Sequence, residues 1–220
     1  MLDYTFQWRP VFQVWPELAH GALITVEITV FSMLIGLAFA LALALGRRSR
    51  SWPLHSLSTA WVELARNTPA LLQIYMVYFG LGAFGIHLGA YVAVLAAVSF
   101  NNAGYLTEIV RGGLESISAQ QRIAALSLGM TRLQAYRYIV FPQVLRMVFL
   151  PVMNQVIWAM LGSSLGMIIG LDELTGATAF QQSLTFRPFE FYSVAAVVYY
   201  VMAKTIMLTA RLVSARLYRY

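Results

Sequence analysis

The chain has 220 residues, of which 60% are hydrophobic and only 11% charged, with a mean hydropathy of +0.68. A water-soluble domain carries about 25% charged residues, so soluble single-domain, disordered and coiled-coil classes are excluded and a lipid bilayer is the expected solvent. Cysteine is absent and His20, His55 and His87 are scattered, which excludes a disulfide framework and a thiolate or structural zinc site.

The first twenty residues are mixed and aromatic-rich, with Trp8, Phe12 and Trp15 suited to a membrane interface. They lack a basic leader, so no cleavable signal peptide is expected. A helix needs about 20 apolar residues to cross a bilayer. Five stretches meet that length, at about 21–45, 54–81, 88–110, 145–171 and 189–212. A polar segment, residues 111–143, separates the third from the fourth. The expectation is an all-α integral membrane protein in which residues 1–220 form one transmembrane domain.

Orientation follows from the arginines of the connections. Arg47, Arg48 and Arg50 lie in the first, Arg111, Arg122, Arg132 and Arg137 in the polar segment, and Arg211, Arg216 and Arg219 in the tail. Only Arg9 and Arg187 fall on the other side. Cytoplasmic connections carry the excess of Lys and Arg, so the N-terminus is expected outside and the C-terminus in the cytoplasm. The net charge of +6 is thereby a topology signal, and nucleic acid is not expected as a partner.

An ionisable group at the bilayer centre costs about 2.5–3.5 kcal/mol on insertion scales. In the second stretch Glu63, Arg66 and Asn67 share a helical face at i, i+3 and i+4. Arg66 lies about 18 Å along a helix entered at residue 54. Two roles fit it: bidentate capture of a carboxylate, or an internal ion pair with Glu63. Pro69 is expected to kink this stretch and free carbonyls. In the third, Asn101, Tyr105 and Glu108 share a face, and Glu108 is expected to pair with Arg111. Asn101 and Asn102 suit either a substrate or the hydrogen bonds that hold membrane helices together. Glu27, among Thr25, Thr29 and Ser32, reads as a helix-packing or interfacial residue.

The polar segment reads Gln121-Arg122-Ile123-Ala124-Ala125-Leu126-Ser127-Leu128-Gly129, then nine residues, then Ile139-Val140-Phe141-Pro142. Its first half is a helix with small residues, broken at Gly129, which permits backbone angles that other residues resist. The second half restarts a helix that ends at Pro142. This pattern resembles the coupling loop of the membrane subunits of ABC importers: Glu-Ala-Ala, three residues, Gly, nine residues, Ile, one residue, Leu-Pro. Ile123 stands where that family has Glu, and Phe141 where it has Leu.

Residues 63–69 (Glu-Leu-Ala-Arg-Asn-Thr-Pro), 78–80 (Tyr-Phe-Gly), 108–113 (Glu-Ile-Val-Arg-Gly-Gly) and 186–190 (Phe-Arg-Pro-Phe-Glu) extend the resemblance to the polar amino-acid subfamily, over residues 18–215. The resemblance implies a type I ABC importer permease fold with five spans. It implies a coupling helix in which Ile123, Ala124, Ala125, Leu128, Gly129 and Pro142 engage the ATPase.

In the fourth stretch Asn154, Gln155 and Trp158 precede Met160-Leu161-Gly162-Ser163-Ser164. Relatives commonly have a Lys–acid pair where this chain has Leu161 and Gly162. Ser163 and Ser164 remain as neutral hydrogen-bonders. Gly162 either leaves volume in the path or lets helices approach closely. Gly170 to Leu174 resembles the family's turn into an outer gate.

No Gly-x-x-x-x-Gly-Lys-Ser/Thr motif occurs, so ATP and Mg are expected on a partner and no cofactor on this chain. The expected function is a multi-pass subunit of a bacterial inner-membrane importer for an amino acid or derivative. Its expected partners are two ATPase copies, a second permease subunit, an external substrate-binding protein and the bilayer. It would do no covalent chemistry. The alternative, an ion-gradient transporter or channel, accounts for Glu63 and Arg66 but not for the loop pattern, and five spans without an inverted repeat suit it poorly.

Overall fold

The computed structural model describes residues 4–217, and within them every regular element is helical. Arg219 of the orientation argument lies outside the described residues. In chain order the helices are α1 (Arg9–Gln13), α2 (Trp15–Gly46), α3 (Trp52–Asn67), α4 (Ala70–Tyr75), α5 (Ala90–Glu115), α6 (Ala119–Ser127), α7 (Arg132–Ala135), α8 (Phe141–Gly162), α9 (Leu174–Thr185) and α10 (Pro188–Leu217). Wider π turns cover Met76–Gly80 and Tyr136–Val140, and a tighter 3₁₀ run covers Ser163–Ile169.

Helix covers most of each apolar stretch, with residues 68–69, 88–89 and 170–171 outside it. Among the described residues three runs are long and apolar enough to cross a membrane, Trp15–Gly46, Arg132–Ile169 and Pro188–Arg216. The second stretch is broken rather than kinked. Pro69 carries no N–H and drives Thr68 out of helical geometry, so α3 stops at Asn67 and Pro69 is extended at φ −61°, ψ 135°. The buried Gln73 amide repairs the break, donating to the Thr68 carbonyl at 3.2 Å and hydroxyl at 2.9 Å. In the third stretch Asn101 and Asn102 lower the hydropathy of α5.

The chain forms two compact units. One comprises Met1–Leu34, Thr68–Ser99 and Ile157–Thr205. Its larger core is built from β-branched and small side chains, among them Ile28, Ile74, Val94, Ala97 and Ala159. A second core joins Val11, Leu18, Leu174 and Phe191. Two buried carboxylates hold this unit together. Glu173 caps α9, accepting from the Thr175 and Gly176 amides at 2.8 and 2.9 Å, from Thr25 Oγ1 at 3.1 Å and from the Tyr199 hydroxyl at 2.6 Å. α2 comes close here because Gly21 has no side chain: a Cβ there would meet the Glu173 backbone at 3.0 Å. Glu190 fastens the N-terminal segment, accepting from the Tyr4 hydroxyl, the Gln7 amide at 2.8 Å and Arg187 Nη1 at 3.1 Å. Trp8, Phe12 and Trp15 are exposed, as an interfacial lead requires.

The other unit comprises Ile35–Asn67, Phe100–Val156 and Ile206–Tyr220. Its core of Leu43, Val62 and Ala103 is small. Many of its large apolar side chains point outward, Leu45 at 74% exposure and Leu208 at 60%. In water such a surface would aggregate; against lipid it is the favoured arrangement.

Removing one donor from a buried carboxylate costs about 1.5–3 kcal/mol. Tyr199→Phe should lower the thermal midpoint of the detergent-solubilised protein accordingly. Ser183→Ala, at an exposed hydroxyl bonded within its own helix, should stay within about 0.5 kcal/mol of the parent.

Candidate functional site

In the second unit α5 presents its predicted face, Asn101, Tyr105 and Glu108, to α3. Asn101 Nδ2 donates to the Ala65 carbonyl at 2.9 Å. The Arg66 guanidinium lies 5.6 Å from the Tyr105 ring centre, and its Nη1 is 3.6 Å from Glu108 Oε2. Gly104 makes this approach possible, because a Cβ there would stand 2.6 Å from that of Ala65. α2 is drawn in the same way: a Cβ on Gly36 would be 2.7 Å from that of Asn102. Thr107 Oγ1 donates to the Ala103 carbonyl at 2.6 Å and lies 3.4 Å from that of Ala40 on α2.

Glu108 is the charge centre of this arrangement. Arg47, the residue after α2, pairs with Oε1, and Arg111 grips the carboxylate through Nε at 3.0 and 3.2 Å and Nη2 at 2.6 Å. Arg111 also pairs with Glu115 at 2.6 Å. The hydrogen bonds to Glu108, then to Glu115, raise the Arg111 pKa further, so it is cationic throughout the physiological range. The Glu108–Arg111 pair matches its sequence expectation. The Glu63–Arg66 pair does not form. Val62, Ala65 and Arg66 turn toward α5, whereas Glu63 is exposed and makes no ion pair among the described residues. Arg66 therefore meets the carboxylate already held against α5.

The buried Asn102 accepts from Gln155 Nε2 at 2.9 Å, joining α5 to α8. Asn101 and Asn102 thus both bind helices to one another. Asn67 and Asn154 are exposed. In the first unit the Ser163 and Ser164 hydroxyls donate back to the Met160 and Leu161 carbonyls, at 2.8 and 2.6 Å. The atoms nearest to a Cβ built on Gly162 belong to the Trp158 ring of the preceding turn, at 3.5–3.7 Å, an ordinary van der Waals distance.

The segment 118–142 is built around α6. Ser118 caps it by accepting from the Gln120 amide at 3.2 Å. At its other end the Gly129 amide donates to the Leu126 carbonyl at 3.0 Å and Met130 to Ala125 at 3.2 Å, with Gly129 at φ +85°. This paired closure is a Schellman motif, which needs a left-handed residue at the position of Gly129. Thr131 and Gln134 cap α7 reciprocally at 2.8 and 3.3 Å. α6 seats its buried Ala125 inward, and Gln143 Nε2 reaches back to Gln121 Oε1 at 2.8 Å. Ala124, Ile123 at 59% and Leu128 at 85% face outward with Leu133 at 78%.

The helix does not end at Pro142, as its sequence suggests. The π turn Tyr136–Val140 leads straight into α8, giving an unbroken helical run over Arg132–Ile169. Pro142 falls in the first turn of α8, where the wider π turn relieves the clash with the preceding carbonyls and no amide is needed. Sequence reasoning used Arg47 only as a topology marker and Glu173 only as part of a turn. The structure makes the first a partner of Glu108 and the second a buried cap. The signal for Glu173 was local, an acidic residue just ahead of Leu174-Thr175-Gly176; nothing local marked Arg47.

Glu108→Ala leaves three guanidinium groups without their common carboxylate. It should destabilise the detergent-solubilised protein by about 1–3 kcal/mol, whereas Glu115→Ala, at an exposed pair, should cost less than about 1 kcal/mol. Thermal unfolding of the two variants checks the difference.

Residues 28–220 match the family described as the binding-protein-dependent transport system inner membrane component. The chain is 35% identical to the octopine transport system permease protein of Rhizobium meliloti, over 98% of this chain and 87% of that one. It is 30% identical to the glutamine transport system permease protein of Escherichia coli (strain K12), over 96% and 98%. A crystal structure of an amino acid ABC transporter with histidines superposes with a TM-score of 0.90 at 31% identity, covering 97% of this chain and all of that one. An inward-facing methionine ABC transporter, at a TM-score of 0.76 and 17% identity, shares the fold. The all-helical fold is that of a type I ABC permease, and the chain belongs to the inner-membrane components of binding-protein-dependent transport systems.

Proposed function

We propose that this chain is one of two permease subunits, identical or related, of an ATP-driven importer carrying an amino acid or amino-acid derivative across a bacterial inner membrane. Five crossings, an outside N-terminus and a cytoplasmic segment 111–143 complete the reading. A separate ATPase pair hydrolyses ATP, and an external binding protein delivers the ligand. The named relatives, which transport octopine and glutamine, support the substrate class.

The observation that carries the reading is the outward row of Ile123, Ala124 and Leu128 on a helix closed at both ends. A connection that served only to span water would not present such apolar side chains. Ile123, in place of the family's Glu, offers apolar contact to the ATPase where relatives offer a carboxylate. Because α6 is tied through Gln121 to α8, and the run Arg132–Ile169 has no break, a push on α6 passes lengthwise into α8. ATP-driven closure of the ATPase pair supplies that push, opening the path outward, and hydrolysis resets it.

Of the pathway candidates, Arg66 is the contact for a substrate carboxylate. Its side chain is 41% exposed and its hold on Glu108 is loose at 3.6 Å, which leaves guanidinium donors available. Glu63 and Asn67 are exposed on the same helix, and Asn154 is exposed on α8. Taken separately, Gly162, Ser163 and Ser164 of the first unit offer neutral hydroxyls and no charge.

The test is ATP hydrolysis and uptake in liposomes holding this chain, its ATPase and its binding protein, across a panel of amino acids. Stimulation by one ligand class is expected. Uptake that follows an ion gradient without the ATPase would overturn the reading. Gly129→Val forces a β-branched residue into left-handed geometry and should cut ligand-stimulated hydrolysis by roughly ten-fold or more while membrane insertion is unchanged.

A further inference from the structure

We propose that a basic groove in the second unit binds the phosphate of an anionic phospholipid. The groove, about 430 Å³, lies among the end of α2, the start of α3, the end of α5 and α6. Arg47, Arg48, His55, Arg111 and Arg122 form its walls, with Glu115 as the carboxylate among them. Arg47 is taken by Glu108, and Arg111 by Glu108 and Glu115. Among the described residues no carboxylate pairs with Arg48 or Arg122; Arg122 reaches only the Tyr136 hydroxyl at 3.5 Å. The groove therefore keeps two guanidinium groups in excess, directed at one space.

Its surroundings identify the anion. Leu45, next to the groove residue Ala44, is 74% exposed, and Trp52, one turn before His55, is 78% exposed. Leu57 follows at 68%. Tryptophan beside basic residues at a helix end marks a lipid–water boundary. A cationic recess bordered by outward apolar side chains matches a molecule that joins a phosphate to acyl chains. Free phosphate would use the recess and leave the apolar border without a partner. The assignment rests on the proposed topology, which puts this end of α2 at the cytoplasmic leaflet, where anionic lipid attracts basic segments.

The test uses the full chain in complex with its ATPase, reconstituted in phosphatidylcholine vesicles with and without phosphatidylglycerol. After extraction in mild detergent, retained lipid is identified by native mass spectrometry. Wild type is expected to retain phosphatidylglycerol over phosphatidylcholine. That preference should fall about five-fold for each arginine removed in Arg48→Gln and Arg122→Gln. Arg50→Gln, outside the groove, should leave it unchanged, and the paired Arg48→Lys and Arg122→Lys variant should keep most of it.

Equal retention by wild type and the double glutamine variant would overturn the proposal. So would displacement of phosphatidylglycerol by millimolar inorganic phosphate with no phospholipid preference remaining. Loss of the ATPase from the double variant with phosphatidylglycerol still bound would assign the arginines to protein docking instead. Retention does not depend on transport: arginine-dependent phosphatidylglycerol binding by a chain that supports no ATP-driven uptake would sink the proposed function and leave this inference standing.

Discussion

The second unit depends on one carboxylate, Glu108, that receives guanidinium groups from three places in the chain. Arg47 arrives from the end of α2, Arg66 from the last turn of α3 and Arg111 from α5 itself. Three cations around one anion are mutually repulsive, so the carboxylate is what allows these elements to converge. The Glu108 side chain is only 15% exposed, so this attraction is screened less than that of a pair on the open surface. The arginines left over, Arg48 and Arg122, face outward beside it, so the charge surplus of this region is a direct consequence of how Glu108 is shared.

Lipid supplies little hydrophobic force between helices, so close packing and internal hydrogen bonds must hold them. The chain meets both demands with small residues and short polar ones. Gly36, Gly104 and Gly21 remove the side chains that would keep backbones apart. Thr29 and Thr107 donate back to carbonyls of their own helices, at 2.7 and 2.6 Å, which satisfies both hydroxyls without water. Gln155 and Asn102 bond each other across α5 and α8. Glu173 carries the same logic into the first unit, where four donors converge on a buried acid.

The segment 118–142 shows how a polar connection becomes a mechanical part. A Schellman closure at Gly129, a capping box at Thr131 and Gln134, and the Gln121–Gln143 bond make it one stiff body. The π turn then joins that body to α8 without a hinge. A proline at residue 142 would ordinarily mark a boundary; here the extra residue of the π turn absorbs it.

The helical character of the apolar stretches, the closure at Gly129 and the pairing of Glu108 with Arg111 were legible in the sequence because each rests on local chemistry, as was a disturbance at Pro69, expected as a kink and found as a break. Apolar periodicity reports a helix face, a proline lacks an amide, a glycine tolerates positive φ, and residues three apart on a helix are neighbours. Contacts that join distant segments were not legible. The partner of Arg66, the role of Arg47 and the four donors on Glu173 depend on which helices lie side by side, and no window of sequence encodes that. Asn101 and Asn102 suited a substrate or a neighbouring helix equally well, since an amide serves both. Only the tertiary structure turned them toward Ala65 and Gln155, because an unpartnered amide is costly to bury and the neighbouring helix supplied a bond to each.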